Sequence, residues 1–326
     1  MASSSIIKTQ SGKSILSDHK DEKPPRQVFG RYLFEGELGV LYGDTNSGKS
    51  ILANDIAFFV SGGGHNWPNM TSPHIPSMYI DMELTSKQFA NRYKGADDYI
   101  PEDYIRAEVD VLNEEEDNLF PIIRDFVISK QTQPNPPRFI IVDNITNGFG
   151  SIWGSSQMRK LISNFKNLKD DYGLTILLVA HCPKRKKNKP IEQDDLGGSK
   201  MILNFVDSAF AVGTSFQTDD IRYIKQIKVR ECEKEKKVMT VQIKDDPYLS
   251  FQYLDMTEEE THIDPKKMKM YYSFTPEEEM QLVDLLSRKN NGEKIYYSEI
   301  SKQTGVPYDI VILYDIQNFQ IPNNDK

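Results

Sequence analysis

The residues Gly43 to Ser50 follow the pattern G-x-x-x-x-G-K-[ST], whose chemistry is the binding of phosphate groups. Glycines let the backbone approach a polyphosphate closely, and the loop N–H groups, at the positive end of the following helix, can surround it. The ammonium of Lys49 can bridge the β- and γ-phosphates. The pattern therefore predicts a nucleotide site that consists of Gly43, Asp44, Thr45, Asn46, Ser47, Gly48, Lys49, Ser50 and Ile51.

The sequence on either side of this loop has the patterns that such a site requires. Leu38 to Tyr42 form a short apolar run bounded by turn residues, which is typical of a buried parallel strand. After the loop, apolar residues recur at helical spacing from Ile51 to Phe59. The order strand, loop and helix argues against a chance match to the pattern.

Asp143 supplies a second chemical group for the same site. It ends the apolar run that starts at Phe139, so we expect its carboxylate at the carboxyl edge of a parallel sheet, next to the loop. A carboxylate there can hold the water shell of Mg²⁺, while the Ser50 hydroxyl and the phosphates bind the ion. Ser50 and Asp143 are therefore the predicted metal residues, and ATP and Mg²⁺ are the predicted cofactors.

The general base must come from another strand, because Asn144 occupies the position where many ATPases have a catalytic glutamate. Glu83 lies just past the apolar run 78–81, and a carboxylate there can orient and deprotonate the attacking water, with Asp81 as the next candidate. His181 ends the run 174–180 and can sense the γ-phosphate through a hydrogen bond. Such residues are usually solvated when they occur alone, but here three successive strand ends carry them.

The bulk composition excludes several classes of protein. The chain has 326 residues, 38% of them hydrophobic. No apolar run is long enough for a membrane helix, and the N-terminus lacks the apolar core of a signal peptide, so we expect a cytoplasmic protein without a membrane partner. Two cysteines, Cys182 and Cys232, and five histidines show neither disulfide nor zinc-ligand spacing. The formal net charge of −8 argues against a protein that coats nucleic acid with its whole surface, although a local basic site remains compatible.

The chain divides by pattern into four parts. Residues 1–27 have the composition of a flexible arm, and residues 257–270 that of a charged linker. Residues 28–256 alternate short apolar runs with helical patterns, which predicts an α/β domain with a mainly parallel sheet flanked by helices. The predicted strands are 38–42, 78–81, 107–111, 139–143, 174–179, 209–212, 221–229 and 238–243, and one helix covers 158–168.

Residues 271–326 are expected to form a small helical unit. Thr275 begins a capping box, Gly305 ends a second helix, and a third starts near Pro307, which is similar to a helix-turn-helix or winged-helix trio. The third helix has no Arg or Lys between Pro307 and Phe319, so it would read DNA poorly. We expect it to dock a protein, either another subunit or a replication partner.

These motifs together resemble the RecA-type ATPases, and most closely the replicative hexameric helicases of the RepA and DnaB kind. The resemblance covers about two thirds of the chain and implies a RecA-like P-loop core. Its residues include the P-loop, the strand and helix around Glu83, the glycine-containing connection 62–77, and the segments 195–200 and 206–209. We expect the core to begin near residue 28, without the large N-terminal domain that DnaB-type helicases have.

The resemblance extends to Lys228 and Arg230, which match a K-x-R strand that points at the ATP of the neighbouring subunit in those hexamers. An arginine that crosses an interface would stabilise transition-state charge only after assembly, so Arg230 is the predicted finger, with Lys228 beside it, in a homo-oligomer that we expect to be a hexamer. The usual glycine after this motif is replaced by Cys232. The alternative is a solvated surface strand.

A basic run follows His181, where RecA-type proteins place a DNA-contacting loop. Its five positive charges could neutralise phosphates of single-stranded DNA, with steep salt dependence, although a solvated loop is the alternative; they are Lys184, Arg185, Lys186, Lys187 and Lys189. A second loop, 147–154, places Phe149 and Trp153 between glycines. These rings are predicted either to stack on bases or to contact another subunit.

Three functions compete at this point. The first is a Mg²⁺-dependent ATPase motor that acts on single-stranded DNA as a helicase or translocase in replication, for example of a mobile element. The second is an ATP-gated DNA-binding or loading protein without unwinding activity. The third is a regulatory protein in which ATP stabilises assembly.

Overall fold

The computed structural model describes residues 9–64, 67–110, 116–149, 156–182, 189–196, 199–263 and 274–320. None of the helices in these ranges is both long and apolar enough to cross a lipid bilayer. The predicted arm contains one short helix, α1 (Gly12–Asp18), none of whose residues is buried. The folded core starts with a two-stranded sheet of β1 (Gln27–Phe29) and β2 (Leu33–Phe34).

A larger sheet organises the domain. Within the described ranges it has nine strands, β3 (Leu38–Gly43), β4 (Ser77–Asp81), β5 (Tyr104–Glu108), β6 (Phe139–Asp143), β7 (Thr175–His181), β8 (Ser208–Thr214), β9 (Ile221–Lys228), β10 (Val238–Lys244) and β11 (Ser250–Thr257). Their spatial order is β11-β10-β9-β8-β3-β7-β6-β4-β5. Neighbouring strands from β8 to β5 pair in parallel, and β9, β10 and β11 extend the sheet in antiparallel pairing.

Helices cover both faces of this sheet, because the buried strands are apolar on both sides. Leu41 faces a cluster with β1, β2 and helix α2, while Val40 and Tyr42 face a second cluster with α4, α6 and α7. The helices of the domain are α2 (Lys49–Val60), α3 (Ser86–Arg92), α4 (Glu116–Lys130), α5 (Ile145–Gly148), α6 (Ser156–Tyr172) and α7 (Ser199–Phe205). The predicted α/β class with a mainly parallel sheet is confirmed.

The differences from the predicted strands lie at the edges of the sheet. Strand β5 occupies 104–108 rather than 107–111, because its pairing with β4 starts at Ser77 and Tyr104. It is an edge strand with half-buried residues, so the apolar pattern marks it weakly. Strands β1, β2 and β11 were not predicted, since β1 and β2 are short and β11 lacks a run of buried residues beyond its first two.

The antiparallel extension contains one irregularity that affects the K-x-R motif. Ala209 pairs with Lys228, whereas the next residue, Phe210, pairs with Gln226. Ile227 is therefore an extra residue in β9, and the alternation of side chains between the two faces is broken there. Ile227 and Lys228 both lie on the α7 side: Ile227 joins the cluster with Leu203, and the Lys228 ammonium binds the Leu203 carbonyl.

The C-terminal unit consists of α8 (Pro276–Asn290), α9 (Tyr297–Thr304) and α10 (Tyr308–Asp315), followed by a π-helical turn, Ile316–Gln320. Its third helix is not exposed for a DNA groove, because 310–316 are all buried. On one side α10 packs on α8 and α9; on the other, Leu313 contacts Ile263, and the Tyr308 hydroxyl donates to Glu258 at 3.0 Å. The start of the predicted linker, 257–263, is thus folded as the docking surface.

His262 lies buried in this surface, in the 3-10 helix Glu259–His262. Its ring stacks on Tyr223 with 4.9 Å between centroids, and its nitrogens lie at 2.9–3.0 Å from the hydroxyls of Ser215, Thr240 and Thr257. Burial lowers the pKa of His262 to about 4. The imidazole is therefore neutral in the folded protein at pH values where it is charged in the unfolded chain.

We predict that His262 makes the protein less stable in mild acid. Below about pH 6.5 His262 is protonated in the unfolded chain, whereas in the folded protein it is protonated only below about pH 4. The free energy of unfolding therefore decreases as the pH falls through this window, by about 2 kcal/mol at pH 5. The variant His262→Gln should lose stability at pH 7 but show a shallower decline between pH 6.5 and 5. Urea unfolding of both proteins at several pH values measures this slope, and equal slopes would contradict the prediction.

Candidate nucleotide site at the carboxyl edge of the sheet

The phosphate loop lies between β3 and α2 and packs against the strands beside it. Gly48 caps α2 in the left-handed conformation, with φ of 94°, and a Cβ there would lie 2.8 Å from the ring of Phe251. A Cβ on Gly43 would lie 2.5 Å from the carbonyl oxygen of Val212. Both glycines are therefore required by close packing as well as by the turn.

Lys49 is the first residue of α2 and is almost fully buried. Its ammonium donates to the carbonyl oxygen of Asp44 at 2.8 Å, which holds the charge within the loop. Burial lowers the pKa of Lys49, and the nearby carboxylates of Asp143 and Glu83 oppose this change. The cation therefore lies between the loop and the acidic end of the site.

Asp143 has the features of a metal-binding carboxylate. Its Oδ2 accepts a hydrogen bond from the buried Tyr79 hydroxyl, and its Oδ1 is buried without a partner among the described residues. Burial raises the pKa of Asp143 to about 6, while the hydroxyls of Tyr79 and Ser50 act against this rise. A free carboxylate oxygen near a serine hydroxyl is the donor set that Mg²⁺ prefers, so Ser50 and Asp143 fit this ion.

Glu83 lies at the meeting point of three strand ends. Its Oε1 accepts a hydrogen bond from the Asn144 amide and lies 3.1 Å from Nε2 of His181. The contact with His181 is the main cause that lowers the pKa of Glu83, so this carboxylate is ionised at neutral pH. The structure thus brings together the predicted residues Lys49, Ser50, Glu83, Asp143 and His181.

Asp81 serves as a support for Glu83, which corrects its place as the next candidate base. Its Oδ1 accepts the N–H groups of Glu83 and Leu84, both at 2.9 Å. Its Oδ2 forms a buried ion pair with Arg106 at 2.8 Å, and Arg106 also binds the carbonyl oxygen of Leu84. Both carboxylate oxygens are occupied, so Asp81 fixes the turn that carries Glu83 and is not available to activate water.

Lys228 and Arg230 lie at the opposite edge of the sheet from the phosphate loop. Lys228 pairs with Ala209 at the start of β8, whereas the loop follows the end of β3. The Lys228 ammonium donates to the carbonyl oxygens of Leu203 and Val206, and Arg230 forms an ion pair with Asp207 at 2.9 Å. The structure therefore does not bring these two residues to the site of their own subunit.

The predicted DNA contacts fall mostly outside the described residues. Lys184, Arg185, Lys186, Lys187 and Trp153 lie there, while Lys189 pairs with Glu192 at 2.8 Å and approaches Asp195 at 3.8 Å. The expectation that Phe149 is exposed for base stacking is wrong. Its ring is buried, because α5 turns the chain inward and places Phe149 against Phe165 in the core.

The comparisons with known proteins agree with this geometry. The model of the family AAA_25, described as an AAA domain, matches residues 8–187, which is more than half of the chain. Among solved structures, the fold is similar to a KaiC-like protein of the hyperthermophilic archaeon Pyrococcus horikoshii, with a TM-score of 0.51 and 15% identity over 70% of this chain and all of that one. No curated protein matches the sequence significantly. The chain belongs to the AAA_25 family of AAA domains and is a RecA-type P-loop ATPase.

Proposed function

We propose that this ATPase is an oligomeric motor that couples Mg²⁺-dependent ATP hydrolysis to single-stranded DNA, as a replicative helicase of the RepA kind. The observation that carries the proposal is the contact between Glu83 and His181. His181 ends β7, and the chain continues from it directly into the basic run 184–189. A polyanion bound to that run would act on the residue that holds the catalytic carboxylate.

The hydrolysis step follows from the positions of the site residues. Lys49 and the loop N–H groups would bind the phosphates, and Ser50 and Asp143 would hold Mg²⁺, which would supply charge that offsets the negative charge of the transferring phosphoryl group. The ionised Glu83 accepts a proton from the attacking water. Its contacts with Asn144 and His181 both involve Oε1, so these two residues set the orientation in which the carboxylate meets the water.

This restraint makes the ATPase sensitive to the basic run. While His181 and Asn144 both hold Oε1 of Glu83, the orientation of the carboxylate is fixed, and turnover is slow. If DNA on the basic run moves His181, the carboxylate can align with the water. We therefore expect single-stranded DNA to increase the rate of ATP hydrolysis.

Arg230 is suited to act on the nucleotide of a neighbouring subunit. Its side chain is 49% exposed, and its ion pair with Asp207 is worth only about 0–1 kcal/mol in such a position, so it can be exchanged for a phosphate. Lys228 is half-buried and bound to two carbonyl oxygens, which hold the end of β9 against α7. We assign the trans contact to Arg230, with Lys228 supporting its strand.

The double restraint on Glu83 also favours a second function, an ATP-gated loading or regulatory protein that turns over slowly and does not unwind DNA. A strand-displacement assay separates the two functions. ATP-dependent unwinding supports the motor, and DNA-stimulated hydrolysis without unwinding supports the loader.

The first prediction from this proposed function concerns Glu83→Gln, which removes the base but keeps the size and most hydrogen bonds of the side chain. Nucleotide affinity should change little, while the ATPase rate should fall by about a hundredfold or more. Equilibrium binding of a fluorescent ATP analogue and a phosphate-release assay measure the two effects. A normal rate would remove Glu83 from the mechanism.

The matched variant is Asp81→Asn. It keeps an oxygen for the N–H groups of Glu83 and Leu84 but turns an amide toward Arg106, so it loosens the turn without removing the base. We expect a smaller loss of rate, about tenfold, together with a lower melting temperature. A loss as large as that of Glu83→Gln, in a protein of unchanged stability, would return Asp81 to consideration as the base.

The second prediction tests the basic run. Replacing Lys184, Arg185, Lys186 and Lys187 with Ala should weaken single-stranded DNA binding and flatten its dependence on salt, because fewer counterions are released. The control replaces four exposed lysines elsewhere, Lys20, Lys23, Lys236 and Lys237. If both variants bind DNA alike at every salt concentration, the basic run is a solvated loop.

The third prediction tests the trans arginine. Arg230→Ala and Lys49→Ala should each be inactive, but mixed subunits form interfaces that pair an intact loop with an intact arginine, so partial activity should return. Light scattering verifies that the two variants assemble together. A mixture that co-assembles and stays inactive, or a dilute monomer that turns over at the full rate, argues for a site complete within one subunit.

A further inference from the structure

Arg222 lies beside the phosphate loop, although 175 residues separate it from Ser47. It is the second residue of β9, opposite Thr214 of β8, and its side chain is only 9% exposed. Its Nε donates to the carbonyl oxygen of Ser47 at 3.1 Å. Its Nη1 donates to the carbonyl oxygens of Asp219 and Ile221, at 2.8 and 2.9 Å.

The partners of this guanidinium are backbone carbonyls. Within the described part of the chain Arg222 forms no ion pair, and burial lowers its pKa against the opposing charges of Asp219 and Asp220. A buried cation is costly unless its hydrogen bonds are made. The planar fork of an arginine can reach carbonyls on two segments at once, which an ammonium on a flexible stem cannot do in the same plane.

The bond to Ser47 fixes the direction of one peptide group in the loop. In a planar trans peptide the C=O and the following N–H point in opposite directions. Because Arg222 holds the Ser47 carbonyl, the N–H of Gly48 must point away from Arg222. That N–H belongs to the N-cap of α2, one of the groups that a phosphate would accept from.

The side chain of Ser47 does not provide this orientation. Its hydroxyl is buried and has no hydrogen-bond partner among the described residues. Among the described residues, no other bond of the loop reaches the Ser47 carbonyl. The Ser47 N–H and the Lys49 ammonium both donate to the Asp44 carbonyl, and the N–H groups of Cys182 and Leu52 donate to the carbonyls of Gly43 and Gly48. Arg222 is therefore the group that sets the Ser47–Gly48 peptide.

We propose that Arg222 is a positioning residue that orients the Ser47–Gly48 peptide and so sets the affinity of the loop for nucleotide polyphosphate. In this role it acts through its bond to the Ser47 carbonyl and not through a bond to the substrate. The proposal rests on nucleotide binding by this P-loop and is independent of DNA coupling and of oligomer formation. It also gives the antiparallel extension of the sheet a function in nucleotide binding.

The test uses Arg222→Lys, which keeps the charge but loses the fork, and Arg222→Gln, which keeps one donor without the charge. The dissociation constant of fluorescent ADP and the KM for ATP should both rise, by about tenfold for Arg222→Lys, while kcat stays within about twofold. Hydrogen exchange should become faster in the peptide that contains 43–50 but not in β9 and β10.

The matched control is Arg138→Lys. Arg138 also donates to a backbone carbonyl, that of Tyr172 at 2.7 Å, but at the other edge of the sheet. This variant should bind ADP like the wild-type protein.

An unchanged ADP affinity in folded Arg222→Lys overturns the proposal, as does a fall in kcat at constant affinity, which would place Arg222 in the chemistry. Faster exchange throughout β9 and β10 would make the effect one of general stability, and that also overturns it. If the wild-type protein does not bind ADP, nucleotide binding by the P-loop is wrong. If the wild-type protein and the Arg222 variant bind ADP equally well, only the role of Arg222 is wrong.

Discussion

Parallel pairing of β3, β7, β6 and β4 is the constraint on which the site depends. In this register Asp81 lies beside Asp143, Asp143 beside Val179, and Gly43 beside His181, so the polar residues that end each strand arrive at one edge. Side chains as far apart in sequence as Glu83 and His181, 98 residues, come within hydrogen-bond distance there. A slip of one residue in any of these pairs would turn the terminal side chain to the other face of the sheet.

Three carboxylates that lie close together at a buried edge lose free energy of hydration and repel one another, and specific partners offset this cost. Asp81 is neutralised by Arg106, Asp143 receives the Tyr79 hydroxyl, and Glu83 is held by His181 and Asn144. Of these three carboxylates, Asp143 is the one with a buried oxygen that has no hydrogen-bond partner among the described residues. The arrangement therefore suits Asp143 to a cation and Glu83 to the attacking water, while Asp81 is structural.

The sequence predicts the loop, the metal acid and the base because these residues directly follow apolar runs long enough to identify as strands. It ranks Glu83 before Asp81 only by its place past the strand, and it cannot show that both oxygens of Asp81 are used by the turn and by the ion pair with Arg106. The sequence also gives no sign of the role of Arg222, because this residue contacts the loop across 175 residues and no sequence motif connects the two. Phe149 misleads because flanking glycines suggest an exposed loop, while the single helical turn before it directs the ring into the core.

The extra residue in β9, Ile227, affects where related chains can differ in length. Strand β9 holds the phosphate loop at Arg222 and carries the K-x-R residues at its far end, about 20 Å away at 3.3 Å per residue. The extra residue, Ile227, is what turns Lys228 toward α7. In a regular strand Ile227 would pair with Ala209, and Lys228 would turn to the α2 face. Deleting Ile227 removes the bulge but leaves Lys228 directly after Gln226 and opposite Ala209, still on the α7 side. Relatives that preserve the contacts of Arg222 and Lys228 can therefore lose this one residue within β9, while other differences in length should lie at the turns that flank the strand.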